Sequence, residues 1–260
     1  VVIIIYLLCK RIYKYLFIQK NIELFTDIDI NTNLKLHLPL NHSLKDVSGN
    51  GNNGSFFGGN PSYVENYKGD PNGALSFDGS NDYINILNPD ALSLNGNLTL
   101  SVWFNSDKTS SWNGTLVSKG VYKEFDLMIY HNTSATSESR FRFHQGNSAE
   151  DGYVKYDSTT QISNGIWYNL IVTREGSGTS WTIKFYLNGS LITIKTSTSG
   201  SGGIVGTNTP AKTTNAIGIS KRGDSSSAYF DGQISDVRIY DRALTNIEVE
   251  RLYQSTLRVD

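Results

Sequence analysis

From Asn33 onward, apolar and polar residues alternate with a period of two. "LKLHLPL" sets Leu34, Leu36, Leu38 and Leu40 on one face, and "NLTLSVWF" does the same with Leu98, Leu100, Val102 and Phe104. Such alternation predicts half-buried β-strands. Similar runs recur at "FDLMIY", "SRFRFHQG", "IWYNLIVTRE", "SWTIKFYLNGS", "LITIKT", "NAIGIS" and "YFDGQISDVRIY". Gly, Asn and Ser clusters separate them, and Asn188-Gly189 predicts a tight hairpin between Tyr186 and Leu191. No fixed period repeats, which argues against a propeller or solenoid. The pattern therefore predicts an all-β, two-sheet antiparallel sandwich of the jelly-roll kind. One helix is expected, at the end of the chain, where Thr245 and Glu248 form a T-x-x-E capping box ahead of Ile247, Val249 and Leu252. Its expected place is over a sheet edge or an open end of the sandwich. Asp236 breaks the last strand's pattern by putting an acid beside Ile234 and Val237.

The first thirty residues follow another rule. An apolar run from Val1 to Cys9 is followed by Lys10, Arg11 and Lys14 on one side of a helical pattern, with Ile12, Tyr15, Leu16 and Ile18 continuing the apolar side. This predicts an N-terminal membrane anchor or amphipathic helix over residues 1–30, ahead of a domain over 31–260. The run is short for a span, and a chain opening on Val leaves room for an upstream part of it. Lys10, Arg11, Lys14 and Lys20 lie on the domain side, which predicts a cytosolic or virion-internal domain. Asn-x-Ser/Thr sequons at Asn41, Asn53, Asn97, Asn113, Asn132 and Asn188 would mark export if used; in a chain rich in Asn, Ser and Thr they read as chance.

Composition narrows the function classes. The chain has 260 residues and 24 Gly, with 18% charged and 12% aromatic residues, which suits one large globular domain. A formal net charge of -1 and the lack of a basic patch in the body argue against nucleic-acid binding. Cys9 is the single cysteine, so the domain is built without disulfides.

The segments "LHLPLNHSLKDVSGNGNNGSF", "GALSFDGSNDYINI", "LTLSVWFNSD", "GTLVSKG", "IWYNLIVTRE", "IKFYLNGSLI", "AIGIS" and "FDGQISDVRIYDRALTNIEVERLY" stand in an order that resembles the laminin G-like family of the concanavalin A-like lectin/glucanase superfamily. The resemblance covers about Leu34 to Tyr253. It implies a jelly roll whose members mostly bind glycans or proteins, often with calcium. Fold alone leaves function open.

Candidate metal ligands come from the loops. "DVSGNGNNG" surrounds Asp46 with turn formers whose carbonyls can turn inward, the oxygen-rich setting that Ca²⁺ needs. An acid beside inward-facing Ile234 and Val237 calls for a partner. One expectation is that Asp46 and Asp236 share calcium and so fasten the first strand to the last. The other is that Asp236 pairs with Arg238 or Arg242, or faces solvent. Ser235 departs from the family, which often has Asp there. Asp78 in "SFDGSNDY" is a further candidate ligand, or simply a turn residue.

Catalysis is not expected. Glucanases of the superfamily place carboxylates at E-x-D-x-x-E spacing. In "KEFDLMIY", Glu124 and Asp126 match the start, but Ile129 holds the second Glu position, and both acids are expected to be exposed strand residues. His37, His42, His131 and His144 have no metal-binding spacing. For ligand binding, Trp112 in the polar loop "SDKTSSWNGT" is the candidate for stacking on a sugar, with Tyr122, Tyr153 and Tyr156 of the same type. Trp103 and Trp167 are expected in the core. The leading function is a non-catalytic, membrane-anchored, lectin-like module for carbohydrate or protein partners. The alternative is a structural scaffold, such as a minor capsid component linking an internal membrane to a viral shell.

Overall fold

The alternation after Asn33 becomes a ladder of antiparallel strands. The computed structural model describes residues 29–87, 91–107, 114–120, 123–132, 138–146, 153–178, 180–199, 210–223 and 227–258. The expected anchor, up to residue 28, lies outside them. Asn33–Asp260 forms one compact unit. Among the described residues no helix is long and apolar enough to cross a membrane.

The first sheet contains β1 (Leu34–Leu38), β3 (Ser62–Val64), β4 (Ala74–Asp78), β6 (Leu98–Ser106), β11 (Trp167–Ser177), β12 (Ser180–Leu187), β13 (Ser190–Ile192) and β16 (Asp231–Tyr240). They run in the order β13-β12-β11-β6-β16-β4-β3, with β1 also paired to β16. The second contains β2 (Gly54–Gly58), β5 (Asp82–Ile86), β7 (Gly114–Lys119), β8 (Phe125–Asn132), β9 (Glu138–Gly146), β10 (Tyr153–Ser158), β14 (Ile194–Ser199) and β15 (Ile217–Ile219). Their order is β14-β10-β9-β8-β7-β15-β5-β2.

Inward positions fill the space between the sheets. Leu36, Leu38, Leu100, Val102, Phe104, Leu127, Phe141, Phe143, Val172, Phe185, Ile234 and Ile239 belong to one buried cluster. The Asn188-Gly189 turn forms as predicted, with Tyr186 opposite Leu191.

β16 is the strand that organises the end of the chain. Its first half, Asp231 to Ile234, pairs with β4, and its second half, Val237 to Tyr240, pairs with β1. A bulge separates the halves, marked by a register shift against β6 between Ser235 and Arg238. Asp236 sits in this bulge with a φ of 47°. A bulge takes an extra residue out of the alternation. The acid that broke the sequence pattern therefore belongs to the point where β16 passes from one partner strand to the other.

The C-terminal helix α1 (Asn246–Thr256) has the predicted capping box: the Thr245 side chain accepts from the Glu248 N–H, and the Glu248 side chain accepts from the Thr245 N–H. Its seat differs from the expectation. Tyr253 stacks against Trp103 at 5.9 Å, and the Trp103 Nε1–H donates to Thr256 Oγ1 at 3.2 Å. The helix thus covers the outer side of β6 rather than an edge, and Trp103 is buried beneath it, not between the sheets. Trp167 is half-buried.

Candidate functional site

The bulge in β16 opens onto a cleft of about 450 Å³. Two turns and the strand hand-over build it. The Asp236 N–H donates to the Pro39 carbonyl at 3.2 Å, and the Ser235 hydroxyl donates to the Gly73 carbonyl at 2.7 Å. These bonds bridge the end of β1 to the start of β4. The His42 N–H then donates to the Asn72 carbonyl at 3.1 Å, tying the two turns together. Leu40, His42, Asn72 and Asp236 all have left-handed backbones, with φ between 47° and 59°. Outside glycine, such residues are uncommon and concentrate at functional sites.

Charge at the cleft is locally matched. Arg238 grips Asp236 with two bonds, Nε to Oδ1 at 2.8 Å and Nη2 to Oδ2 at 3.0 Å. His37, the cross-strand neighbour of Arg238, reaches Asp236 Oδ1 through Nε2 at 2.8 Å. Burial alone would raise the Asp236 carboxyl, but Arg238 first and His37 second hold it well below the usual range. Tyr67 stacks on Trp103 at 3.8 Å, and burial, then the Asp236 charge, raise its phenol. First and last strands are thus fastened through His37, Asp236 and Arg238. The sequence named Arg238 as a partner but gave no sign of His37.

The other acids expected to hold metal have different employment. Asp46 accepts the N–H groups of His37 at 3.0 Å, Ser48 at 2.9 Å and Asn52 at 2.8 Å. Burial works to raise its carboxyl, and these donors together outweigh it and lower it. Asp78 accepts the Ser80 and Asn81 N–H groups at 2.8 and 3.2 Å, closing the turn before β5. Burial, then the Asp78 charge, raise neighbouring Asp82. Calcium wants six to eight oxygen ligands. Around Asp236 the neighbours are instead a guanidinium and an imidazole, and both Asp46 oxygens face N–H donors, so these residues do not fit the ion. Among the described residues no group of three or more His, Cys, Asp or Glu could hold a metal.

Glu124 and Asp126 are fully buried, contrary to the exposed positions expected for them. Glu124 accepts from Lys119 Nζ at 3.0 Å and from the N–H groups of Leu94 and Thr213, both at 2.9 Å. Asp126 accepts from the Ser118 hydroxyl and from Arg222 Nε at 3.1 Å. Each acid is locked to a cation inside the structure.

A second polar surface lies on the outer face of β8, β9 and β10. Arg142 and Asp157 are opposite one another across the β9–β10 ladder and join in two bonds, of 2.6 and 2.7 Å. The same guanidinium lies 3.6 Å from the centre of the Tyr130 ring. Burial works to lower Arg142, and Asp157 more than offsets it, raising the group. Farther along the face, Tyr153 meets the buried His144 edge-on at 5.0 Å. Burial depresses His144 in spite of Asp126 beside it. Tyr130, Arg142, Asp157 and Tyr153 are each half-buried.

Of the predicted stacking residues, Tyr153 is on this face. Tyr156 is not: it points into the core, 6.3 Å from Phe143 and 8% exposed. The reason is the period of two, which turns Tyr153, Lys155 and Asp157 outward and Val154 and Tyr156 inward. Trp112 and Tyr122 lie outside the described residues. Tyr130, Arg142 and Asp157 were missed; the outward phase of Tyr130 and Arg142 was readable in "FDLMIY" and "SRFRF", but not the register that joins them to Asp157.

Residues 78–250 match the family model described as the concanavalin A-like lectin/glucanases superfamily. No curated protein matches the chain. Among solved structures, it is similar to domain 4 of AbnA, a GH43 extracellular arabinanase from Geobacillus stearothermophilus, in complex with arabinotriose. That match has a TM-score of 0.57 and 20% identity, covering 85% of this chain and 98% of the other. It is also similar to the binding domain of Paraclostridial Mosquitocidal Protein 1, with a TM-score of 0.65 and 15% identity over 88% of this chain and 53% of the other. The receptor binding domain of botulinum neurotoxin D gives 0.60 and 18%, over 88% and 54%. The chain thus spans about half the length of these toxin domains. At such identities the likeness shows the fold.

Proposed function

The chain belongs to the concanavalin A-like lectin/glucanase superfamily, and from that membership we propose that it is a non-catalytic, lectin-like binding module. Its partners are carbohydrate or protein, and its N-terminal segment holds it at a membrane with the domain on the basic, cytosolic side. The observation that carries the reading is the outer face of β8 to β10. There the half-buried Tyr130 ring is backed by Arg142, and Arg142 is fixed by Asp157. Sugars need an apolar platform beside fixed hydrogen-bonding groups, and this face offers both without reorganisation on binding. Tyr153 adds a second ring about 20 Å along the strands, from a rise of roughly 3.3 Å per residue. The solved relatives include an arabinotriose-bound domain and receptor-binding domains, which favours the same class.

Support for the absence of hydrolysis comes from the positions of the acids. Ile129 stands where a second Glu is needed, and Glu124 and Asp126 are buried in pairs with Lys119 and Arg222. A glycosidase needs two carboxylates that reach the scissile bond.

A glycan array followed by calorimetry on the full chain tests the reading. The expected result is saturable glycan binding that Tyr130→Ala weakens at least about tenfold, or about 1.4 kcal/mol. Tyr153→Ala should weaken it as well, and no bound glycan should be hydrolysed. A blank array overturns carbohydrate as the partner, and full glycan affinity in Tyr130→Ala overturns the sheet face as its site.

A further inference from the structure

The cleft at the β16 bulge lies on the first sheet, and the Tyr130 face lies on the second. We propose that this cleft is a separate binding site, and that it takes a neutral, hydroxyl-rich ligand the size of a single sugar ring.

Size and shape come first. At about 450 Å³ the cleft falls in the range of small-molecule sites, roughly 300 to 1,000 Å³. Its walls hold their form through bonds within the protein. The His42 turn is tied to the Asn72 turn, and Asp236 and Ser235 are tied to Pro39 and Gly73. Left-handed backbones at Leu40, His42, Asn72 and Asp236 are kept in place by this bonding. A site held open in this way binds with little ordering cost.

Charge then selects the ligand. The charged groups at the cleft are already engaged within the protein. Asp236 is held by Arg238 and His37, Asp70 accepts from the Asn66 amide at 3.1 Å, and Lys68 Nζ donates to the Arg258 carbonyl at 2.9 Å. Asp70 and Asp236 are matched in number by Lys68 and Arg238, so the lining offers no excess of either sign to favour an ionic ligand. Neutral groups have capacity left. The Asn41 amide and the His42 ring line the cleft and have no hydrogen bond among the described residues, and His42 is positioned by stacking on Tyr63 at 6.2 Å. His37 also lines the cleft, its Nε2 held 2.8 Å from the Asp236 carboxylate. Amide and imidazole groups of this kind both donate and accept, which suits hydroxyl groups. Tyr67 and two prolines, Pro39 and Pro71, add apolar surface.

The test uses the full chain and a panel of methyl glycosides of neutral hexoses, N-acetylhexosamines and pentoses, with glucuronic and sialic acids as charged counterparts. Saturation-transfer NMR detects binding, and titration gives affinity. His42→Gly removes the ring and keeps a residue that accepts the left-handed backbone, and Asn41→Ala removes an exposed amide. An unchanged melting midpoint verifies that both variants fold. The expected result is that at least one neutral glycoside still binds the Tyr130→Ala chain, whose sheet face is disabled, and that adding His42→Gly or Asn41→Ala to that chain weakens the binding at least about tenfold. The Tyr130→Ala background separates this site from the sheet face: a glycoside that binds the wild type and is lost in Tyr130→Ala supports only the face. The proposal is overturned if the folded wild type binds no neutral glycoside, if the acidic sugars bind more tightly, or if binding survives both substitutions.

Discussion

Asp236 shows how one residue can join a local backbone conformation to long-range pairing. Its left-handed conformation would be unfavourable for a side chain left alone. The N–H bond to Pro39, the two-point grip of Arg238 and the contact with His37 hold it there. Removing one member of a buried ion pair leaves the other uncompensated, at a cost of about 3 to 5 kcal/mol. Asp236→Asn should therefore lower the denaturant midpoint strongly, and Arg238→Ala should do so by a comparable amount. Together the two should cost less than the sum of the singles, the sign of a coupled pair. The pH dependence follows from the lowered carboxyl. A group depressed in the folded state contributes stability that is complete above its ordinary value, about 3.9, and fades as pH falls through its folded value. Urea midpoints between pH 2 and 7 should show an acid loss in the wild type that is smaller in Asp236→Asn. Calcium or a chelator should leave the melting curve unmoved, because the partners of Asp236 are cations. A chelator-induced drop abolished by Asp236→Asn would show that an ion sits there after all. The sequence revealed that Asp236 needs a partner and that Arg238 is near. It concealed His37, which is 199 positions away and becomes a neighbour only when β1 pairs with β16.

Whole elements are stapled by buried polar side chains in the same manner. Glu124 just precedes β8 and ties that strand to two connecting segments, through the Leu94 and Thr213 N–H groups, while neutralising Lys119. Arg174 on β11 reinforces one of these segments by donating to the carbonyls of Leu94 and Gly96, and burial pushes it down to about 9. Glu124→Gln should cost about 3 to 5 kcal/mol, since Lys119 would remain buried without its counter-charge. It should leave glycan affinity unchanged in the fraction that stays folded, a split that calorimetry and thermal melting read separately. At the other end, Thr245→Ala removes the hydroxyl that caps α1 and should cost about 1 kcal/mol, with Trp103 fluorescence reporting the loosened helix. The capping box was legible because its parts lie within four residues of one another. The seat of the helix was not: every β6 residue except Asn105 is buried, so alternation cannot tell the face under the helix from the face in the core. The same limit hid Glu124 and Asp126, whose partners come from other strands and loops.

At the scale of the molecule, the fold class followed from the period of two and the order of the motifs, while the ligand surfaces depend on strand register. The β9–β10 ladder sets Arg142 against Asp157, and the bulge in β16 makes the cleft on the opposite sheet. Where the domain begins bears on both. Asn33 ties the start of the N-terminal strand to the end of β16: its amide donates to Asp241 Oδ1 at 2.6 Å and its carbonyl accepts the Asp241 N–H at 3.2 Å. Everything that builds the cleft and the Tyr130 face lies after this point. A chain starting at Asn31 should therefore remain soluble and β-rich, melt within a few degrees of the full chain and bind the same glycans. The apolar run Val1–Cys9 and the basic residues after it should matter only for attachment to lipid. In flotation with vesicles containing anionic lipid, the full chain should rise with the lipid and the shortened chain should stay in solution. Aggregation of the shortened chain, or loss of its glycan binding, would mean instead that the leader is part of the domain's own packing.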